Sequence, residues 1–100
     1  MKKETVKPTF KRNDEADIED ASFHGVEITV SLETMTRLFG EPATGDGDKT
    51  QHEWIFEGEQ FNVAVYDWKC DGAWHVGTET RAESLEFARW IRGAVAAARV

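Results

Sequence analysis

From Val26 to Val30 apolar and polar side chains alternate without a break, which puts Val26, Ile28 and Val30 on one face and Glu27 and Thr29 on the other. That is the pattern of a half-buried strand. Ser31 follows as a capping residue, Leu32, Met35, Leu38 and Phe39 then recur at spacings of three and four, and Gly40 and Pro42 supply the stop. The pattern predicts a helix of two to three turns. From Gln51 to Glu57 the period returns to two, with His52, Trp54 and Phe56 on one face and Glu53, Ile55 and Glu57 on the other. After a turn at Gly58, Phe61, Val63 and Val65 alternate with Asn62, Ala64 and Tyr66, so the two runs read as an antiparallel hairpin. Asp71-Gly72 marks a second turn, and Trp74 to Val76 is predicted as a third strand, giving a meander that residues 26 to 30 extend.

Thr80 and Glu83 have capping-box spacing, and the chain from Arg81 to Ala98 is free of proline and rich in Ala, Arg and Glu. A long terminal helix is expected, with Phe87, Ala88, Ile91, Ala94, Val95 and Ala98 on one side and Glu86, Arg89 and Arg92 on the other. Gly93 within it costs about 1 kcal/mol relative to Ala and is expected to mark a close contact. The fold class is therefore α+β: an antiparallel sheet of three to four strands, with a short helix and a long C-terminal helix packed on one face. Residues 1–21 contain Val6, Phe10 and Ile18 in no regular period, and they are predicted to be a charged, mobile arm ahead of a single domain over residues 22–100.

A chain of 100 residues accommodates one domain. The net charge of -7 is unevenly placed, since residues 22–80 hold eleven carboxylates against Arg37, Lys49 and Lys69. Such a surface repels phosphate backbones and attracts cations, which excludes a general nucleic-acid binder. The single cysteine, Cys70, permits no intrachain disulfide, and no apolar run approaches the ~18 residues of a membrane span. A reducing cytoplasm is the expected setting, with no membrane partner.

Candidate chemistry is sparse. His24, His52, Cys70 and His75 lack the close spacing of structural zinc sites, and a Cys70–His75 nucleophile pair has no accompanying motif. Asp46 and Asp48 lie in a Gly-rich stretch, predicted as an exposed acidic loop, without the ligand series of a calcium loop. Phosphate-binding and hydrolase motifs are absent from the sequence. These residues predict a non-enzymatic protein without metal or cofactor. The aromatic group is more suggestive, because Trp54, Tyr66, Trp68 and Trp74 lie on or beside the hairpin. They form core, or Tyr66 and Trp68 turn away from the helix as an aromatic patch rimmed by acids, the composition favoured at protein interfaces.

The segments Phe39-Gly40-Glu41-Pro42, Lys49-Thr50, Glu53-Trp54, Tyr66-Asp67-Trp68-Lys69 and Trp74-His75-Val76-Gly77 occur in an order that resembles small, largely uncharacterised accessory proteins of tailed bacteriophages. The resemblance covers about residues 36 to 80, and Thr78 departs from it where a second glycine is expected. It implies phage biology inside a bacterial host cell and raises the class of host-defence inhibitors, anti-CRISPR proteins among them. The leading expectation is an inhibitor that docks Asp46, Asp48, Glu57, Glu59, Tyr66, Asp67, Trp68 and Asp71 on a basic, nucleic-acid-handling protein, without contacting nucleic acid itself. The alternative is a module that sequesters a nucleotide signal in a pocket lined by Trp54, Trp68, Trp74 and His75. Either a monomer or a homodimer is compatible with the alanine-rich helix.

Overall fold

The computed structural model describes residues 9–44, 52–67 and 73–98. In chain order these form β1 (Phe10–Arg12), β2 (Ser22–Ile28), α1 (Leu32–Phe39), β3 (Ala43–Thr44), β4 (His52–Gly58), β5 (Asn62–Asp67), β6 (Trp74–Thr78) and α2 (Arg81–Ala98). The fold is α+β, an antiparallel sheet in the order β1-β4-β5-β6-β2, with β3 also paired to β4. The predicted meander is β4-β5-β6, and β2 extends it beside β6.

Both helices pack on the same face of this sheet. Trp54 and Phe56 of β4, Val63 and Val65 of β5, and Val76 of β6 are fully buried there against Met35 of α1 and Phe87 and Ile91 of α2. Burial of side chains this large stabilises by about 1.5–3 kcal/mol each. Edge-to-face contacts join the layers: Phe39 meets Phe56 at 5.0 Å between centroids, and Phe87 meets Phe10 at 5.0 Å. Within this apolar layer Thr78 and Ser84 are buried but satisfied, their hydroxyls 2.5 Å apart and that of Thr78 donating to the Thr80 carbonyl. The pair fixes the start of α2 to the end of β6. Thr80 caps α2 through the Glu83 N–H at 3.2 Å, whereas the Glu83 carboxylate reaches one residue further back, to the Glu79 N–H.

Helix α1 is held by the sheet at both ends. The Trp74 indole N–H donates to the carbonyl of Val30, just before the helix, at 2.6 Å, and that of Trp54 donates to the carbonyl of Gly40, just after it, at 2.9 Å. Arg12 of β1 donates to the carbonyls of Phe39 and Glu41 and pairs with both oxygens of Asp14. Ser31 caps the helix N-terminus through the Thr34 N–H, and Gly40 at φ 90° returns its own N–H to Thr36.

Several boundaries differ from expectation for identifiable reasons. β2 begins at Ser22 and stops at Ile28, not Val30, because the Val30 carbonyl goes to an indole rather than a ladder. Gly25 at φ 86° lies in a bulge between Phe23 and Glu27 that breaks the alternation and hides the first half of the strand from a period-two pattern. The expected arm over residues 1–21 is part of the domain from Phe10 onward: β1 pairs with Phe56–Gly58, and the Phe10 ring enters the core. Gly58 makes room for that ring, since a Cβ there would lie 2.6 Å from it. Leu32, expected on the buried stripe of α1, is exposed and lines an open groove with Arg37, Pro42 and His52. Gly93 does not mark a close contact; it is exposed, and an added Cβ would meet nothing within 4 Å.

Two substitutions check these points by denaturant unfolding. Phe10→Ala should destabilise the protein by about 3 kcal/mol, the cost of a large core cavity, whereas a residue in a detached arm would cost nothing. Gly93→Ala should stabilise by about 1 kcal/mol, because helix propensity is gained with no steric penalty.

Candidate functional site

Strand alternation sends neighbouring residues to opposite sides of the sheet. Both helices pack on one side, while the other, the uncovered side, is crossed among the described residues only at one end, by residues 13–21, which bond Glu57 and Asn62 there. Trp54 and Trp74 are on the covered side, packed edge to face at 5.0 Å and with their N–H groups committed to α1. His75, next to Trp74 in sequence, is on the other side. The expected pocket of Trp54, Trp68, Trp74 and His75 is therefore not assembled: two of its indoles are core, its histidine faces away from them, and Trp68 lies outside the described residues.

The expected partner-binding acids are also redistributed. Asp67 is on the covered side and only 6% exposed. Its carboxylate accepts the His52 backbone N–H at 3.1 Å and meets His52 Nδ1 at 2.9 Å. A buried carboxylate needs such donors, so Asp67 ties β5 to the start of β4 and is not presented to a partner. Glu57 is on the uncovered side and accepts from the Asn13 side chain at 3.1 Å, while Glu59 is exposed in the β4–β5 turn. Asp46, Asp48 and Asp71 lie outside the described residues.

Tyr66 does face away from the helices, and the register shows what surrounds it. One cross-strand row runs Glu53, Tyr66, His75, Glu27, and the next runs Ile55, Ala64, Gly77, Phe23. Ala64 and Gly77 make a low floor on which rings lie: Cε1 of Tyr66 is 3.5 Å from where a Gly77 Cβ would stand. The Phe23 ring stacks on the His75 imidazole at 3.9 Å with planes 13° apart, and His75 Nε2 meets Glu27 Oε2 at 3.1 Å. Phe23 keeps 41% of its surface exposed. This face thus combines π surfaces with carboxylates at both ends of a row.

Sequence reasoning named Tyr66 for an exposed patch, assigned His75 to a different grouping, the indole-lined pocket, and did not name Phe23, Glu27 or Glu53 as site residues. The signal for Glu53 and Glu27 was present, because each is out of phase with a buried neighbour: Trp54 for the first, Val26 and Ile28 for the second. Beside this face, Asp17, Glu19, Asp20, Glu79 and Glu83 surround a depression of about 140 Å³ next to Asn62, whose side chain donates to the Asp17 carbonyl. They extend the negative potential around the end of the sheet. The edges are less accessible. Asn13 N–H bonds the Ile55 carbonyl between the segments of β4 paired to β1 and β3, and Arg81 and Arg92 reach the His24 and Glu27 carbonyls on β2.

Among the described residues no helix is long and apolar enough to cross a membrane, and no group of three or more His, Cys, Asp or Glu is placed to hold a metal ion. No family model, curated protein or solved structure matches the chain.

Partial burial raises the Tyr66 hydroxyl above its ordinary value of 10.0, and the Glu53 carboxylate raises it further. Tyr66 is the only tyrosine, so its phenolate absorbance reports this position alone. The folded protein should titrate above pH 10.0, and Glu53→Gln should move the midpoint part of the way back. The unfolded chain ionises first, so stability should fall as pH rises from the unfolded value through the folded one.

Proposed function

We propose that this protein is a non-enzymatic binding protein that docks the uncovered face of its sheet on a basic surface of another protein. The observation that supports this most directly is the single-sided packing. Both helices lie on one face, leaving the Glu53-Tyr66-His75-Glu27 row, with Phe23 beside it, on a face that no helix among the described residues covers. Aromatic rings give such a face desolvation energy, and carboxylates give it a preference for Lys and Arg. Among the described strand residues, Lys11, paired across from Glu57 on β1, is the lysine on this side, and it stands at the far edge from Glu27. The eleven carboxylates of residues 22–80 add a longer-range field that speeds encounter with a cationic partner and opposes approach of nucleic acid.

A basic surface that normally holds nucleic acid is the partner of matching chemistry, and occupation of that surface excludes the nucleic acid. Together with the resemblance to phage accessory proteins, this supports the reading of the protein as a phage-encoded inhibitor of a host defence complex, acting as an anti-CRISPR protein does by competition for a nucleic-acid channel.

The test is affinity capture from a bacterial host lysate at about 50 mM and about 500 mM salt, followed by competition with nucleic acid for the purified partner. A nucleic-acid-handling protein should be recovered at the lower salt only. Glu53→Lys with Glu27→Lys should abolish recovery, whereas Glu33→Lys, on α1 in the opposite layer, should preserve it. Absence of a partner at low salt, or recovery indifferent to the two reversals on the sheet face, overturns the proposal.

A further inference from the structure

We infer that the uncovered face seats an arginine side chain of its protein partner, stacked on the solvent side of the Phe23 ring and hydrogen-bonded by Glu27. This deepens the function proposed above and rests on it. Phe23 uses one ring face to cover His75, which is 8% exposed, and keeps 41% of its own surface exposed. The Glu27 side chain is 45% exposed; Oε2 meets His75 Nε2, and Oε1 and the remaining lone pairs can accept further donors. The chain's own Arg81 and Arg92 reach backbone carbonyls of β2, those of His24 and Glu27, rather than the Glu27 carboxylate.

A flat π surface beside an oriented carboxylate discriminates between the two common cations. A guanidinium is planar and weakly hydrated, so it can lie on the ring while its fork of N–H groups meets the carboxylate. An ammonium is compact and strongly hydrated, and it has no plane to stack. His75 strengthens the arrangement, because its contact with Glu27 holds the carboxylate beside the ring that covers the imidazole. At the other end of the row Glu53 stands three strand spacings away, about 14 Å, and adds negative charge to the same face.

The experiment uses a short arginine-rich peptide and the same peptide with lysine at every arginine, each titrated into the full chain at low salt by calorimetry and by NMR of aromatic protons. The arginine peptide should bind about threefold to fivefold more tightly, and the Phe23 ring signals should move on its addition. Phe23→Leu, at a half-exposed position, should remove the difference between the peptides, and Phe23→Tyr should retain it. Glu27→Gln should weaken both. Equal binding of the two peptides, or a preference unchanged in Phe23→Leu, overturns the arginine seat. If partner capture still depends on Glu27 and Glu53 in that event, the wider proposal of a cationic partner stands; if capture is also absent, both fall.

Discussion

Two indole N–H groups hold the fold's least self-sufficient element. A helix of eight residues is too short to persist by its own hydrogen bonds, and α1 buries only Met35 completely. Trp74 and Trp54 lie on strands separated by β5, and their N–H groups take the Val30 and Gly40 carbonyls at opposite ends of that helix. Each indole adds apolar area to the core while giving a backbone acceptor outside any ladder a partner. Because the rings also meet edge to face, the two anchors are one packed unit, and α1 is positioned by the spacing of strands beneath it.

The consequence is a division of labour between the two sides of one sheet. With Trp54 and Trp74 committed inward, each next residue is committed outward, so Glu53, Ile55 and His75 come to the uncovered side without further instruction. On the covered side the polar groups that remain are paired in place, Thr78 with Ser84 and Asp67 with His52. On the other side the small residues Ala64 and Gly77 let rings lie low instead of stacking upward into a second core. Such a face is stable in water yet retains apolar surface that another molecule can cover. The edges are managed separately: β1, β3 and Asn13 occupy that of β4, and the bulge at Gly25 with the two arginines disrupts that of β2. Strand addition at the edges is thereby disfavoured.

Much of this was legible in the residues. The long helix, the β4–β5 hairpin, the Ser31 cap and the Gly40 stop each rest on local pattern, and local pattern survives in the fold. What was not legible depends on partners distant in sequence. Phe10 has no periodic neighbours, so nothing near it announces that its ring meets Phe87, and Gly58 reads as a turn residue although its missing side chain admits that ring. Asp67 looks like a surface acid because it stands among other polar residues, and only the register places it beside His52. At the candidate face the alternation around Trp54 already sent Glu53 outward, but the pairing of Phe23 with Gly77 lies across a bulge that no local period reveals. The indoles were the most misleading signal, since Trp residues near acids suit an interface and a core equally until their N–H acceptors are known.

Charge alone does not make the uncovered face selective. An acidic field attracts every cationic protein, weakens with salt, and in any cell meets many competing basic surfaces. Discrimination requires short-range features that only some cations satisfy, and these must be rigid before the partner arrives so that ordering them does not consume the binding energy. The Phe23–His75–Glu27 group meets that requirement because its parts constrain one another: the imidazole is covered by the phenyl ring and fixes the carboxylate, and the β2–β6 pairing fixes all three. Nucleic acid could also stack on such rings, but its phosphates would then stand beside Glu27 and Glu53, where repulsion opposes the stacking gain. Under the proposed function, the same residues that would admit a cationic protein would therefore keep out the polymer for whose channel it competes.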